Sequence, residues 1–112
     1  MIVGSTKESL SLEKRVSITP ETAKNILALG LKVCIEKNYA IHLGIDDDEY
    51  KSAGVEIKPT FKEVLQSSNL VTKVNCPSEE ELNALSANKI LIGMMNPVKN
   101  KSLIDKIVSK NI

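Results

Sequence analysis

Residues 19–36 read Thr19-Pro20-Glu21-Thr22-Ala23-Lys24-Asn25-Ile26-Leu27-Ala28-Leu29-Gly30-Leu31-Lys32-Val33-Cys34-Ile35-Glu36. Within this stretch the apolar period changes from that of a helix to that of a strand. Thr19 is placed to cap the first turn, Pro20 fits the first helical position, and the Glu21 carboxylate faces the positive end of the helix dipole. Ala23, Ile26 and Leu27 recur at helical spacing, and Gly30 is a natural terminator. Leu31, Val33 and Ile35 then alternate with Lys32, Cys34 and Glu36, the period-two pattern of a strand. The alternation predicts a strand covered on one face and not central in its sheet.

Working outward, the same unit repeats. Ile2 and Val3 open a short strand ending at Gly4, followed by a polar loop with Lys7, Glu8 and Arg15. After a loop from Asn38 to Ile45 comes a short acidic helix from near Asp46 to Gly54, then a brief strand at Val55–Lys58 closed by Pro59. Thr60 and Glu63 have capping-box spacing ahead of a face made by Phe61, Val64 and Leu65, and Ser78 and Glu81 repeat it ahead of Leu82 and Leu85. Leu70–Val74 reads as a strand between them. Ile90-Leu91-Ile92 is the most continuously apolar strand, a pattern expected near the centre of a parallel sheet covered on both faces. A last helix, from near Asn100, is expected to bury Leu103, Ile104, Ile107 and Val108.

Strand and helix alternate about five times, and parallel strands require helical crossovers. The fold class is therefore α/β: a doubly wound, mostly parallel Rossmann-like (flavodoxin-like) sheet with helices on both faces, in one domain over residues 1–112. In this architecture a helix normally returns to another strand, so Ile112 reads as a truncation point.

With no Trp, one Phe and two Tyr in 112 residues, the core must be aliphatic. Fifteen Lys and Arg against 14 Asp and Glu give a net charge of +1, without the clustered cations or stacking aromatics of a nucleic-acid binder. Cys34 and Cys76 lack metal-ligand spacing and read as buried free thiols of a reducing compartment. No apolar run approaches the ~20 residues of a membrane helix, and the first residues do not resemble a signal peptide.

Ligands of open parallel sheets bind beyond the carboxyl ends of the strands. That rule selects Arg15 after the first strand, Lys73 near the end of the fourth and Asn96 after the fifth. Arg15 and Lys73 together suit a carboxylate or phosphate. The plainer alternative is that Arg15 pairs with Glu8 or Glu13 on a solvated loop while Lys73 reaches to water. The single histidine, His42, lies between Ile41 and Leu43 and reads as a surface or packing residue. Asp46-Asp47-Asp48-Glu49 lacks the ligand alternation of a calcium loop and reads as a charged helix start. No two of Gly4, Gly30, Gly44, Gly54 and Gly93 make a G-x-G-x-x-G turn or a P-loop, so no NAD is expected to bind this chain by the usual mechanism.

Lys7-Glu8, then Glu13-Lys14-Arg15-Val16, then Thr19-Pro20 resembles the K-E…E-x-R-V…T-P opening of alanine dehydrogenases and of the transhydrogenase α subunit. The likeness continues through Ala28–Val33 with Glu36, Tyr50–Ile57 and Val71–Pro77, over nearly the whole chain. The resemblance implies most of a Rossmann-like first domain, with the glycine-rich NAD turn in a following domain that these residues lack. It implies further that, in alanine dehydrogenases, the residues matching Arg15 and Lys73 hold the keto acid, and a histidine acts where this chain has Asn96. Asparagine cannot cycle a proton near neutral pH, which argues against amino-acid dehydrogenation. Pro97-Val98-Lys99-Asn100 is closer to the P-A-Q-N of transhydrogenases.

The resemblance thus implies the N-terminal piece of a proton-translocating transhydrogenase α subunit, inactive alone. NAD(H) would serve the complete enzyme, and the partners would be the rest of the α subunit and a membrane β subunit. The assembly would be a homodimer, cytoplasmic and peripheral to the inner membrane. An alanine-dehydrogenase-type keto-acid domain and a non-catalytic dimerisation module are the alternatives. One departure is Asn38-Tyr39-Ala40 where the family has G-A-G, which removes both glycines from a turn expected to need positive φ.

Overall fold

The computed structural model describes residues 1–112 without interruption. Five strands, β1 (Ile2–Ser5), β2 (Lys32–Glu36), β3 (Glu56–Lys58), β4 (Leu70–Asn75) and β5 (Ile90–Met94), alternate with five helices, α1 (Pro20–Ala28), α2 (Asp47–Ala53), α3 (Phe61–Ser67), α4 (Glu79–Ala84) and α5 (Lys101–Ser109). The strands form one sheet in the order β3-β2-β1-β4-β5, and every pairing is parallel. The chain is thus a doubly wound α/β domain whose direction of winding reverses between β1 and β4.

Local chemistry sets most helix starts where the sequence places them. The Thr19 hydroxyl accepts the Thr22 N–H and the Thr22 hydroxyl accepts the Thr19 N–H, so the α1 capping box is built from two threonines. Ser78 and Glu81 close the same reciprocal box on α4, whereas at α3 only the bond from Glu63 N–H to Thr60 forms. Asn38 adopts φ 60° and supplies the left-handed turn after β2. The missing glycines are therefore no obstacle, because a short amide side chain tolerates this region.

One face of the sheet carries α1 and α2 over a cluster that includes Val3, Val33, Ile35, Tyr39 and Tyr50. The other face carries α3, α4 and α5, with Leu65, Val71, Leu82 and Leu85 at its centre and Leu91, Leu103 and Ile107 around them. Gly4 lets α3 approach: a Cβ there would lie 1.8 Å from the Ser68 hydroxyl oxygen.

Two strand placements differ from the sequence reading. β2 lies between β1 and β3, and Val33, Cys34 and Ile35 are all buried, so it is covered on both faces. Only its end residues, Lys32 and Glu36, reach the rims of the sheet; Cys34, which shares their side of the alternation, packs beside Ser68. Conversely, β5 is an edge strand, and Ile90, Ile92 and Met94 stand exposed on the face that α1 and α2 do not reach. Val108 is likewise exposed, because α5 turns only Leu103 and Ile107 into the cluster.

Candidate functional site

The two cavities of the domain adjoin at the carboxyl ends of β4 and β5, beside the point where the winding reverses. Leu12, Asn75, Cys76 and Asn100 line both. Met94, Asn96 and Lys99 complete the first, of about 260 Å³. Glu8, Lys73, Ser78 and Glu81 belong to the second, of about 310 Å³.

Lys73 leaves β4 on the α4 side and has 4% of its side chain exposed. Its ammonium donates to Glu81 Oε1 at 2.8 Å, to Glu81 Oε2 at 3.0 Å and to the Lys7 carbonyl at 3.0 Å. All three donors are used, and the charge is matched by a carboxylate of the same chain. Glu81 also closes the α4 capping box and accepts the Thr6 hydroxyl. One carboxylate therefore ties the loop after β1, the end of β4 and the start of α4 together. Glu8 caps the end of β4 by accepting the N–H groups of Val74 and Asn75 at 3.0 and 3.2 Å.

Arg15 stands apart. It lines neither cavity, and its guanidinium donates to Glu13 through Nε at 3.0 Å and Nη2 at 2.8 Å, with 70% of the side chain exposed. The adjacent guanidinium holds the Glu13 carboxyl down to about 2. Arg15 and Lys73 are consequently not brought together; each has an internal carboxylate partner. Asn96 does line the first cavity, at φ 44°. His42 places Nε2 2.7 Å from the Lys14 carbonyl oxygen and fastens the loop, away from both cavities.

Sequence reasoning does not single out Asn75, Cys76, Lys99 and Asn100 as wall residues. Only the rule about strand ends could have found Asn75 and Cys76, and nothing in the spacing couples Glu81 to Lys73. Burial pushes the Cys76 thiol upward, Glu81 adds to that effect and Lys73 opposes it, so the protonated thiol prevails at neutral pH and is a poor nucleophile. No three His, Cys, Asp or Glu side chains are grouped to hold a metal ion. Within the acidic run, Asp46 caps α2 and Asp47 accepts the Asn38 N–H. No helix is long and apolar enough to cross a membrane.

The five glycines do not build the turn that usually holds a pyrophosphate. Gly30, Gly44 and Gly54 end helical segments at positive φ. Gly4 faces α3, and Gly93 faces the Lys73 carbonyl, where a Cβ would come within 2.7 Å. None stands in a glycine-rich turn between a strand and the start of the next helix.

Among known proteins, the chain is 34% identical over 113 residues to an alanine dehydrogenase of Methanococcus maripaludis, covering 97% of this chain and 30% of the relative. It is 32% identical over 112 residues to the NAD(P) transhydrogenase subunit alpha of Haemophilus influenzae, covering 100% of this chain and 22% of that protein. The chain thus spans less than a third of either relative. Its fold superposes on a transhydrogenase from Sinorhizobium meliloti with a TM-score of 0.92 at 28% identity, covering 99% of this chain and 33% of the other. An L-alanine dehydrogenase structure gives 0.91 at 25% identity, covering 98% of this chain and 30% of the other. The family model described as the alanine dehydrogenase/PNT N-terminal domain matches residues 4–112, and the chain belongs to that family.

Proposed function

We propose that this chain is the N-terminal piece of an NAD(P) transhydrogenase α subunit. In the complete enzyme it would work with the remainder of the α subunit and a membrane β subunit in hydride transfer between NADH and NADP⁺. It would sit at the membrane surface as part of a dimeric assembly. The observation that carries the choice over an alanine dehydrogenase is the state of the basic residues. Lys73 is neutralised by Glu81 and Arg15 by Glu13, and the cavity wall offers Asn96 in place of an imidazole. A keto acid would have to displace two internal carboxylates, one of them paired with a buried ammonium, and would find Asn96 where an imidazole could exchange a proton near pH 7.

Titration calorimetry of the chain with NADH tests this reading. No binding heat and no hydride transfer are expected, and micromolar affinity for NADH would overturn it. Adding pyruvate to the ¹⁵N-labelled chain should leave its spectrum unchanged. Pyruvate-dependent shifts abolished by Lys73→Ala would instead establish the keto-acid domain.

A further inference from the structure

β4 and β5 pair one residue for one until they reach the cavities, and there the register slips. Leu70, Val71 and Thr72 face Ile90, Leu91 and Ile92, but the next pair is Asn75 with Met94, so β4 holds one residue more than β5. Such a β-bulge re-aims the side chains beyond it. Val71 and Lys73 point to the α4 side, and strict alternation would send Asn75 there too. The extra residue turns Asn75 over. It stands instead beside Met94, on the side that Ile90 and Ile92 occupy, and lines both cavities. Only its backbone is engaged within the chain, so the carboxamide is free to meet a ligand. Two groups fix the bulge. In a regular strand consecutive N–H groups point to opposite edges, whereas those of Val74 and Asn75 both point to the Glu8 carboxylate, at 3.0 and 3.2 Å. Across the ladder lies Gly93, where a Cβ would come 2.7 Å from the Lys73 carbonyl oxygen and push the bulged strand away.

We propose that Glu8 is a positioning residue of the candidate site: its carboxylate holds the bulge that presents the Asn75 carboxamide to both cavities. An ionised carboxylate suits the task because it offers two acceptor oxygens and no donor, and so takes both N–H groups at once. Glu8 is 7% exposed, which leaves little room for water to replace it. The neighbouring Lys7 carbonyl accepts Lys73 Nζ at 3.0 Å, so two successive loop residues grip the bulge, one by its backbone and one by the side chain before it. Relaxed to regular pairing, β4 would return Asn75 to the α4 side with Lys73 and Glu81, and the first cavity would lose that wall. This goes beyond the proposed function and does not depend on it, since it concerns which side chain the wall presents, whichever enzyme the chain serves.

Nuclear Overhauser contacts in the isotope-labelled chain test it. The parent should show contacts between Asn75 and Met94, with the Val74 and Asn75 N–H protons moved downfield by their charged acceptor. Glu8→Ala should lose both signatures while the contacts of β1 with β2 persist. Glu8→Gln keeps one acceptor oxygen and turns a donor toward the second N–H. It should therefore lose the downfield position of one proton and weaken the Asn75–Met94 contacts. Gly93→Ala should break the same contacts with Glu8 intact. A merely structural role for Glu8 would lower the unfolding temperature and leave Asn75 beside Met94. That result in Glu8→Ala, or in Glu8→Gln if only that variant folds, overturns the inference.

Discussion

The two flanks of the sheet are held by different chemistry. On the β1-β2-β3 side, helices cover both faces, and the polar groups trapped beneath them are phenols and hydroxyls. Tyr39 Oη lies 2.8 Å from the Ser5 hydroxyl and accepts the N–H groups of Ser17 and Ile18 at 3.1 and 3.3 Å. Tyr50 Oη donates to the Ile18 carbonyl at 2.7 Å, and the two rings meet edge to face at 5.8 Å. On the β4-β5 side one face is bare, and the polar ties are lysine amines: Lys73 to Glu81, Lys89 to three carbonyls at the end of α3, and Lys110 to Leu82. A neutral phenol can be sealed away at modest cost, whereas a charge needs a full set of partners or nearby water. The closed flank uses the first device and the open flank the second.

The largest expected effect is on the one charge of the open flank that water does not reach. Glu81→Ala leaves the Lys73 ammonium buried without its counter-ion and should cost about 3–5 kcal/mol in chemical denaturation. Lys73→Met combined with Glu81→Leu removes both charges and should recover part of that loss, the remainder being the Thr6 hydroxyl and Ser78 N–H that Glu81 no longer accepts. If Glu81→Ala were as mild as a surface substitution, the ion pair would not be what holds this flank.

Next comes the closed flank. Tyr39→Phe keeps the ring but leaves the Ser17 and Ile18 N–H groups without their acceptor, and should cost about 1–3 kcal/mol. The same phenols predict a pH response. Burial raises both above the ordinary value of 10.0, so the folded state favours the neutral form. Their contribution is complete below pH 10 and is lost as pH rises above it toward the folded-state values. Amide exchange should therefore accelerate in β2 and β3 before β5 as pH is raised above 10, and Tyr39→Phe should diminish that difference. Equal acceleration on both flanks would contradict the division.

Helix boundaries were legible because caps are local: Thr19, Asp46, Thr60 and Ser78 each act within three residues of themselves. Lateral order in the sheet was not. Ile90–Met94 is apolar on both sides and still lies at the edge, while Lys32–Glu36 has charged ends and lies inside. Composition reports how much apolar surface a strand offers, not whether its chain supplies a cover. At the site, Lys73 and Asn96 were reachable from the strand-end rule. The state of Lys73 was not, because Glu81 comes from the next helix and meets it only after the β4–α4 turn has formed. Arg15 shows the opposite case: its partner Glu13 is two residues away, and the pairing was one of the two, with Glu8 or Glu13, that the plainer reading of the loop offered.

The smallest expected effect concerns the hinge between the flanks. Lys89 sits just before β5, and its ammonium donates to the carbonyls of Leu65, Gln66 and Ser68 at 2.6, 2.9 and 2.6 Å. Those are orphan carbonyls at the end of α3, where a cation also meets the negative end of the helix dipole. The amine is half-buried, so water replaces part of what is lost on substitution. Lys89→Met keeps the apolar stem and should cost about 1 kcal/mol. The loss should be local: faster exchange at the end of α3 and in β5, with β2 and β3 unchanged. A uniform loss across the sheet would mean that the flanks open as one unit, and the contrast between them would then be chemical but not mechanical.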